Sequence, residues 1–528
     1  MTSSPDLHLL TIEDAAPLLA ARKLSPVELV DAFLANIAAV DSTLHSFVTV
    51  LHDQARSAAR RAEAEIMAGQ YRGPLHGIPY ALKDNIMARG VRTAANSRLM
   101  LDHVSNEDAT VHRRLAEAGA ILLGKLNTFE YGTGTGNGLF ELPFPPARNP
   151  WDLDRFPGGS TTGGGVSVAA GTAMLAIGTD TGGSVRFPAA ACGAAGLKPT
   201  YGLVSRAGIL PNCWSLDAVG PICWTASSAA HALHAIAGFD PGDPTSVPAR
   251  TMDHGVGLSR GLHDVRIAVI RRFHERDSTD DAEIACAFDD GVNALRGLGA
   301  TIVETDFAPS LFDFRTCSRL INAAECHAIH EQDFIERRTV MGAVLRDKLT
   351  LGACVGAADY LRAQRWRRAL AGQVQSVFAS ADLIVCAGAT RRAPAYRDQA
   401  GIAAFTTESA MSVFSLSGHP AISVCNGFSA DGLPLNLQLA GRHFDEGTVL
   451  AAASALEAAL GLKARRPNLF GKVPLDPAPG PAAPYDEAAA FAASRAAVAA
   501  TVAKMPVPLP RSLEPSVIFS AGSHYAVE

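Results

Sequence analysis

The chain has 528 residues, 48% hydrophobic and 19% charged, with a formal net charge of −6. That is enough apolar material for a large buried core, in several domains by length alone or in one unit, as many α/β enzymes of this size are built. The acidic balance and the lack of a basic run count against nucleic acid and anionic membrane surfaces as partners.

In chain order, the start MTSSPDLHLLTIEDAAP lacks the basic and long apolar segments of a secretory signal. No apolar run is long enough for a membrane helix, so the expected location is the cytoplasm. Nine scattered cysteines without a CxxC pair fit reduced, buried thiols there. Thr11-x-x-Asp14 and Ser25-Pro26-x-Glu28 are helix starts, and VELVDAFLANIAAV repeats apolar residues at helical spacing. Residues 1–75 thus read as a helical segment packed on the body. From about residue 76 short apolar runs alternate with helical stretches. GIPYALK ends at Lys83, Asp108 is placed to cap TVHRRLAEAGA before AILLGK, and AMLAIG leads into TDTGG. RIAVIR, ADLIVCAG, PAISVCNGF and LPLNLQLAG follow, the last two joined by an Asp431-Gly432 turn. This predicts an α/β fold: one large domain over 76–466 with a mixed central β-sheet covered by helices on both faces. Residues 467–528 form a Pro/Ala-rich C-terminal extension, with a proline-rich stretch to 484, an alanine-rich helix and an extended end. Packing of this arm on the body, or on a second copy in a homodimer, stays open.

The stretch GGSTTGGGVSVAAGTAMLAIGTDTGGSVRFPAAACG holds the chemistry. A strand delivers Ser184 behind a glycine pair and just before a helix start. There backbone N–H groups converge and the helix end adds positive partial charge. Those are the needs of a nucleophile beside an oxyanion hole. A flexible loop or a phosphate cradle is the competing reading, although the Walker Gly-Lys-Ser/Thr is missing. No histidine stands out as a base. Lys83, closing an apolar strand, is the alternative base, unless it merely pairs with Asp84.

Three stretches, GPLHGIPYALKDNI, PGGST and GTDTGGSVRFPAAACGAAGLKPTYG, resemble the amidase signature family, and RNPWD, SLDAVGP, GHPAISV and GLPLNLQLAGR follow in the same order. The resemblance runs from about residue 10 to about 460. It implies Ser184 as nucleophile, Ser160 on a cis peptide as proton relay and Lys83 as base. The N–H groups of Thr181, Gly182, Gly183 and Ser184 would form the oxyanion hole, with Asp180 and Arg186 bracing the loop. Neither metal nor organic cofactor is implied. One departure is GGSTTGGG where many members read GGSSGGS; Thr162 would carry a cost of about 1 kcal/mol if its backbone needed positive φ.

Phe129, Tyr131, Phe140, Leu142 and Trp214 are the candidates for a substrate pocket and suggest an apolar or aryl amide, ester or carbamate, cleaved with water. The alternatives within the family are the glutamine-hydrolysing component of a tRNA-dependent amidotransferase, its A chain, for which Glu408 is the acidic residue to watch, and biuret or allophanate hydrolases. A non-catalytic scaffold would have lost triad members. His327-x-x-His330-Glu331 and Arg365-Trp366-Arg367-Arg368 read as exposed helix faces.

Overall fold

The computed structural model describes residues 6–134, 139–248, 261–278, 281–469 and 485–505. The first helices start where their caps lie. Thr11 Oγ1 accepts from Asp14 N–H and the Asp14 carboxylate accepts from Thr11 N–H, which opens the helix Ile12–Ala20. Ser25 and Glu28 repeat the exchange ahead of Pro26–Leu44. That helix buries Leu29, Val30, Phe33, Leu34 and Ile37 along one stripe against the body.

The N-terminal segment also contributes a strand, β1 (Phe47–Val50), which pairs antiparallel with β3 (Ile121–Leu126). The other strands are β2 (Pro79–Lys83), β4 (Leu175–Asp180), β5 (Ala195–Lys198), β6 (Ala218–Cys223), β7 (Arg266–Ile270), β8 (Thr301–Glu304), β9 (Leu383–Ala387), β10 (Ala421–Phe428) and β11 (Pro434–Gly441). They form one sheet in the order β1-β3-β2-β4-β6-β5-β10-β11-β9-β7-β8, mixed as expected. Helices cover both faces, so β2, β4, β9 and β11 are buried throughout and read as continuous apolar runs rather than alternations. The hairpin β10–β11 turns at Asp431-Gly432, where glycine takes φ +82°.

β2 runs parallel to β4, with Tyr80 opposite Leu175 and Leu82 opposite Ile177. Lys83 therefore ends beside Thr179, at the carboxyl ends of two parallel strands, where open α/β sheets place their ligands.

Asp108 does not cap the helix Thr110–Glu117. Ala109 holds the cap position, Thr110 N–H finds the Ala207 carbonyl, and Asp108 Oδ1 accepts from Arg89 N–H at 2.7 Å. A loop from elsewhere in the chain satisfied the donor that a local cap would have served. The alanine-rich helix spans Glu487–Val502, capped by Asp486, and packs on this chain's own body. Val498 is buried, Phe491 tilts against Phe334, Tyr485 shares a hydrogen bond with Thr350, and Glu487 pairs with Arg338 at 2.8 Å. The proline-rich residues 470–484 and the end from 506 lie outside the described residues. All nine cysteines are free and seven are buried. No described helix is long and apolar enough to cross a membrane.

Candidate active site

Lys83 Nζ lies 2.7 Å from Ser160 Oγ and 2.7 Å from Thr179 Oγ1, all deep in the interior. Burial pushes the lysine down to about 7, against the upward pull of the Asp217 and Asp180 carboxylates. The amine is thus divided between its charged and neutral forms at neutral pH. Two glycines make room for this contact. A Cβ on Gly132, which has φ +70°, would sit 3.2 Å from Lys83 Nζ, and one on Gly159 would strike the Phe129 ring at 2.1 Å. The Gly159–Ser160 peptide is cis.

Ser184 follows β4 on the loop that enters the helix Arg186–Cys192. Thr161 N–H donates to the Ser184 carbonyl at 3.2 Å, joining the two serine-bearing loops. Asp180 holds the loop from below. Its carboxylate accepts from Gly183 N–H at 2.8 Å, Val185 N–H at 3.2 Å, and Arg186 Nε and Nη2 at 3.0 and 2.9 Å. Burial works against that charge, but Arg186 outweighs it and keeps Asp180 at about 2. Arg186 is tied in turn to Gln438 and Ser415, so four of its five donors are spent on bracing. Of the four residues expected to offer N–H groups to an oxyanion, Gly183 already donates to Asp180. Thr181, Gly182 and Ser184 line the adjoining cavity. Thr162 opens the helix Thr162–Ala169 and is absent from the positive-φ positions, so the expected backbone cost does not arise.

The cavity over Ser184 has a volume of about 810 Å³. Its walls are largely apolar, with Phe129, Phe187, Val344 and Leu351 among them, but four of the five side chains expected there lie elsewhere. Phe129 reaches it, with Phe187 beside, but Tyr131, Phe140, Leu142 and Trp214 do not. Tyr131 is buried edge-on against His330. Phe140 packs on Tyr396 and Leu142 on the same cluster. Trp214 is 49% exposed, stacked under Arg206 beside a separate small pocket behind Thr179. In their place the cavity is lined by Arg315, Arg319, Asn322, Asp347, Lys348 and Asn212. Lys348 Nζ donates to Asn212 Oδ1 at 2.6 Å and Thr133 Oγ1 at 3.2 Å.

Glu408 is not a wall residue; it pairs with Arg391 at 2.7 Å. His330 is buried rather than exposed, and burial pushes it down to about 4. Trp366 is buried too, and Arg367 donates to the Leu416 and Ser215 carbonyls, so that basic run is only half a solvated face. Among the described residues no group of histidine, cysteine and carboxylate side chains is arranged to hold a metal ion.

Thr179, Asn85 and Asp217 were not among the residues the sequence pointed to. Thr179 also receives Asn85 Nδ2 at 3.3 Å, and Asp217 accepts from Thr181 Oγ1 at 2.5 Å. Thr179 had a usable signal, since it lies in the same strand end as Asp180 and alternation points it to the opposite face. Arg315 and Arg319 had one as well, at i and i+4 of a helix, but such a pair reads as solvated until the neighbouring elements are placed.

A family model described as amidase matches residues 28–450. The A component of the glutamyl-tRNA(Gln) amidotransferase of Chloroflexus aggregans is 36% identical over 88% of this chain and 99% of its own. The solved structure of the same component from Thermotoga maritima is 31% identical, with a TM-score of 0.72 over 86% of this chain and 95% of that one. The peptide amidase of Stenotrophomonas maltophilia is 29% identical, with a TM-score of 0.74 over 87% and 98%. The chain is a member of the amidase signature family, whose enzymes act on C–N bonds.

Proposed function

We propose that this protein hydrolyses the C–N bond of a small polar amide through an acyl-enzyme at Ser184, with Ser160 and Lys83 as proton relay and glutamine as the leading substrate. The observation that carries the chemistry is the buried Lys83 amine, near pKa 7 and 2.7 Å from Ser160 Oγ, beside a cavity that holds Ser184. Neutral Lys83 takes the Ser160 proton as Ser160 takes that of Ser184. Ser184 Oγ bonds to the carbonyl carbon, and the oxyanion is met by N–H groups of Thr181, Gly182 and Ser184. Ser160 returns a proton to the leaving nitrogen as the C–N bond breaks. Water then cleaves the ester by the same relay, with no metal or organic cofactor taking part.

The four charged side chains set in the walls support the polar substrate over an aryl one. Lys348 and the two arginines suit a carboxylate, and Asp347 suits an ammonium. A second reading follows from the relatives' name: the chain releases ammonia from glutamine for use by a partner protein. Both place the enzyme in the cytoplasm, with residues 76–466 as the catalytic body carrying the segments 1–75 and 467–528.

The test is kcat/KM for glutamine, an anilide, a neutral aliphatic amide, a carbamate and biuret, each with Ser184→Ala as control. Glutamine or another carboxylate-bearing amide should exceed the anilide by at least about tenfold. An anilide preference would refute the polar reading, and turnover by Ser184→Ala would refute the acyl-enzyme. Co-purification with partner proteins would favour the second reading.

A further inference from the structure

The helix Leu311–Arg337 turns an unusual face inward. Arg315, Ser318, Arg319 and Asn322, at i, i+3, i+4 and i+7, all line the cavity that contains Ser184. Two guanidiniums one turn apart repel each other, and more so in a concave wall than on an open helix. Neither has an ion-pair or hydrogen-bond partner among the described residues, and neither is among those with further contacts. The Glu408 carboxylate, from another element, attracts Arg315 but is already paired with Arg391 at 2.7 Å. Burial and the Arg319 charge both press the Arg315 guanidinium downward. Lys348 is held by Asn212 and Thr133, and among the described residues Asp347 is the single lining carboxylate, against three lining cations. Asn322 keeps a buried Oδ1 with no partner. The C-terminal helix Glu487–Val502 walls the same space with Ala490, Ala493, Ser494 and Ala497, which add no charge.

We propose that Arg315 and Arg319 form an anion subsite that grips a carboxylate at the end of the substrate remote from the scissile bond. The subsite rests on the Ser184 reading, since it serves that cavity. Guanidinium forks match a carboxylate in two-point geometry, and two of them, Arg315 half-buried and Arg319 exposed, hold it more firmly than a lone lysine. The unpartnered Asn322 oxygen accepts a donor next to that carboxylate, such as an amino group. The C-terminal helix limits how long the connecting chain can be. The substrates selected are amides of dicarboxylic acids or of acidic amino-acid side chains.

The experiment compares two fluorophosphonates of equal length in the full chain, one ending in a carboxylate and the other in its methyl ester. With either, a bond forms from Ser184 Oγ to phosphorus, the P–F bond breaks, fluoride leaves, and the serine proton passes to the relay. The wild type should be labelled at least about tenfold faster by the acid, with the advantage shrinking as salt rises. In Arg315→Gln and Arg319→Gln the ratio of the two rates should fall towards one, a ratio that cancels any change in the amount of folded protein. Equal labelling of the wild type overturns the subsite and leaves the Ser184 reading standing. A ratio that survives in both variants and in the double variant also overturns it. No labelling by either probe defeats the Ser184 reading itself.

Discussion

Acylation of Ser184 should depend on pH through a single group, the buried Lys83 amine. With its pKa near 7, half the molecules hold a neutral lysine at pH 7, about a tenth at pH 6 and about a hundredth at pH 5. The labelling rate with a neutral fluorophosphonate should therefore fall about tenfold per unit below pH 6 and level off above pH 8. An ordinary lysine would be neutral in only about 0.03% of molecules at pH 7, and its rate would still be climbing at pH 9. The Asp217 carboxylate is the larger of the two charges that hold the pKa up. Asp217→Asn should move the acid limb to lower pH, even though it also loosens Thr181, Asn212 and Cys213, whose donors it receives. Rate against pH from 5 to 9.5, with both proteins checked for native circular dichroism, decides the matter. A midpoint above pH 9 in the wild type, or an upward shift in Asp217→Asn, would refute the assignment of Lys83 as base.

Keeping an uncharged lysine inside costs stability. The native pKa lies below the unfolded value, so at pH 7 the unfolded chain binds the extra proton, and the cost is about 4 kcal/mol, fading as pH rises towards 10. Lys83→Met removes it while stranding the Ser160 hydroxyl, worth about 1–3 kcal/mol, Thr179 keeping its bond from Asn85, so its unfolding free energy in urea at pH 7 should rise, with labelling lost; a fall would contradict this. Adjacent glycines should behave differently. Gly182 has nothing within 4 Å of an added Cβ, whereas Gly183 has φ +122° and its Cβ would meet Met411 and Phe187 at 2.6 Å. Gly182→Ala should melt within a few degrees of wild type, and Gly183→Ala should lose about 2 kcal/mol or more; equal melting temperatures would show the loop to be softer than drawn. Asp84 lies 3.3 Å from the buried Lys125. Asp84→Asn leaves that ammonium alone and should cost about 3–5 kcal/mol in the same urea titration, a loss that Lys125→Met in the same chain should largely restore.

The amino-acid order by itself determined seven of the sheet's strands, because a strand buried on both faces must be apolar throughout, and β2, β3, β4, β7, β9, β10 and β11 all declare themselves so. It also determined the glycine-rich loop before Ser184, a local device of strand, turn and helix start. Strands β1, β5 and β8, of four residues each, are too short for such a signature, and β6 is interrupted by Gly220-Pro221; they are strands because neighbours already in the sheet offered them unpaired backbone groups. Only the tertiary structure decided that Lys83 meets both Ser160 and Thr179, that Gly183 spends its N–H on Asp180, and that Arg315 and Lys348 face the nucleophile's cavity while Tyr131 and Trp214 do not. The cavity is walled by helices drawn from Leu311–Arg337, Ala343–Ala353 and Glu487–Val502. A polar helix face has the same pattern whether it meets water or a substrate, and only the arrangement of distant elements around it tells the two apart.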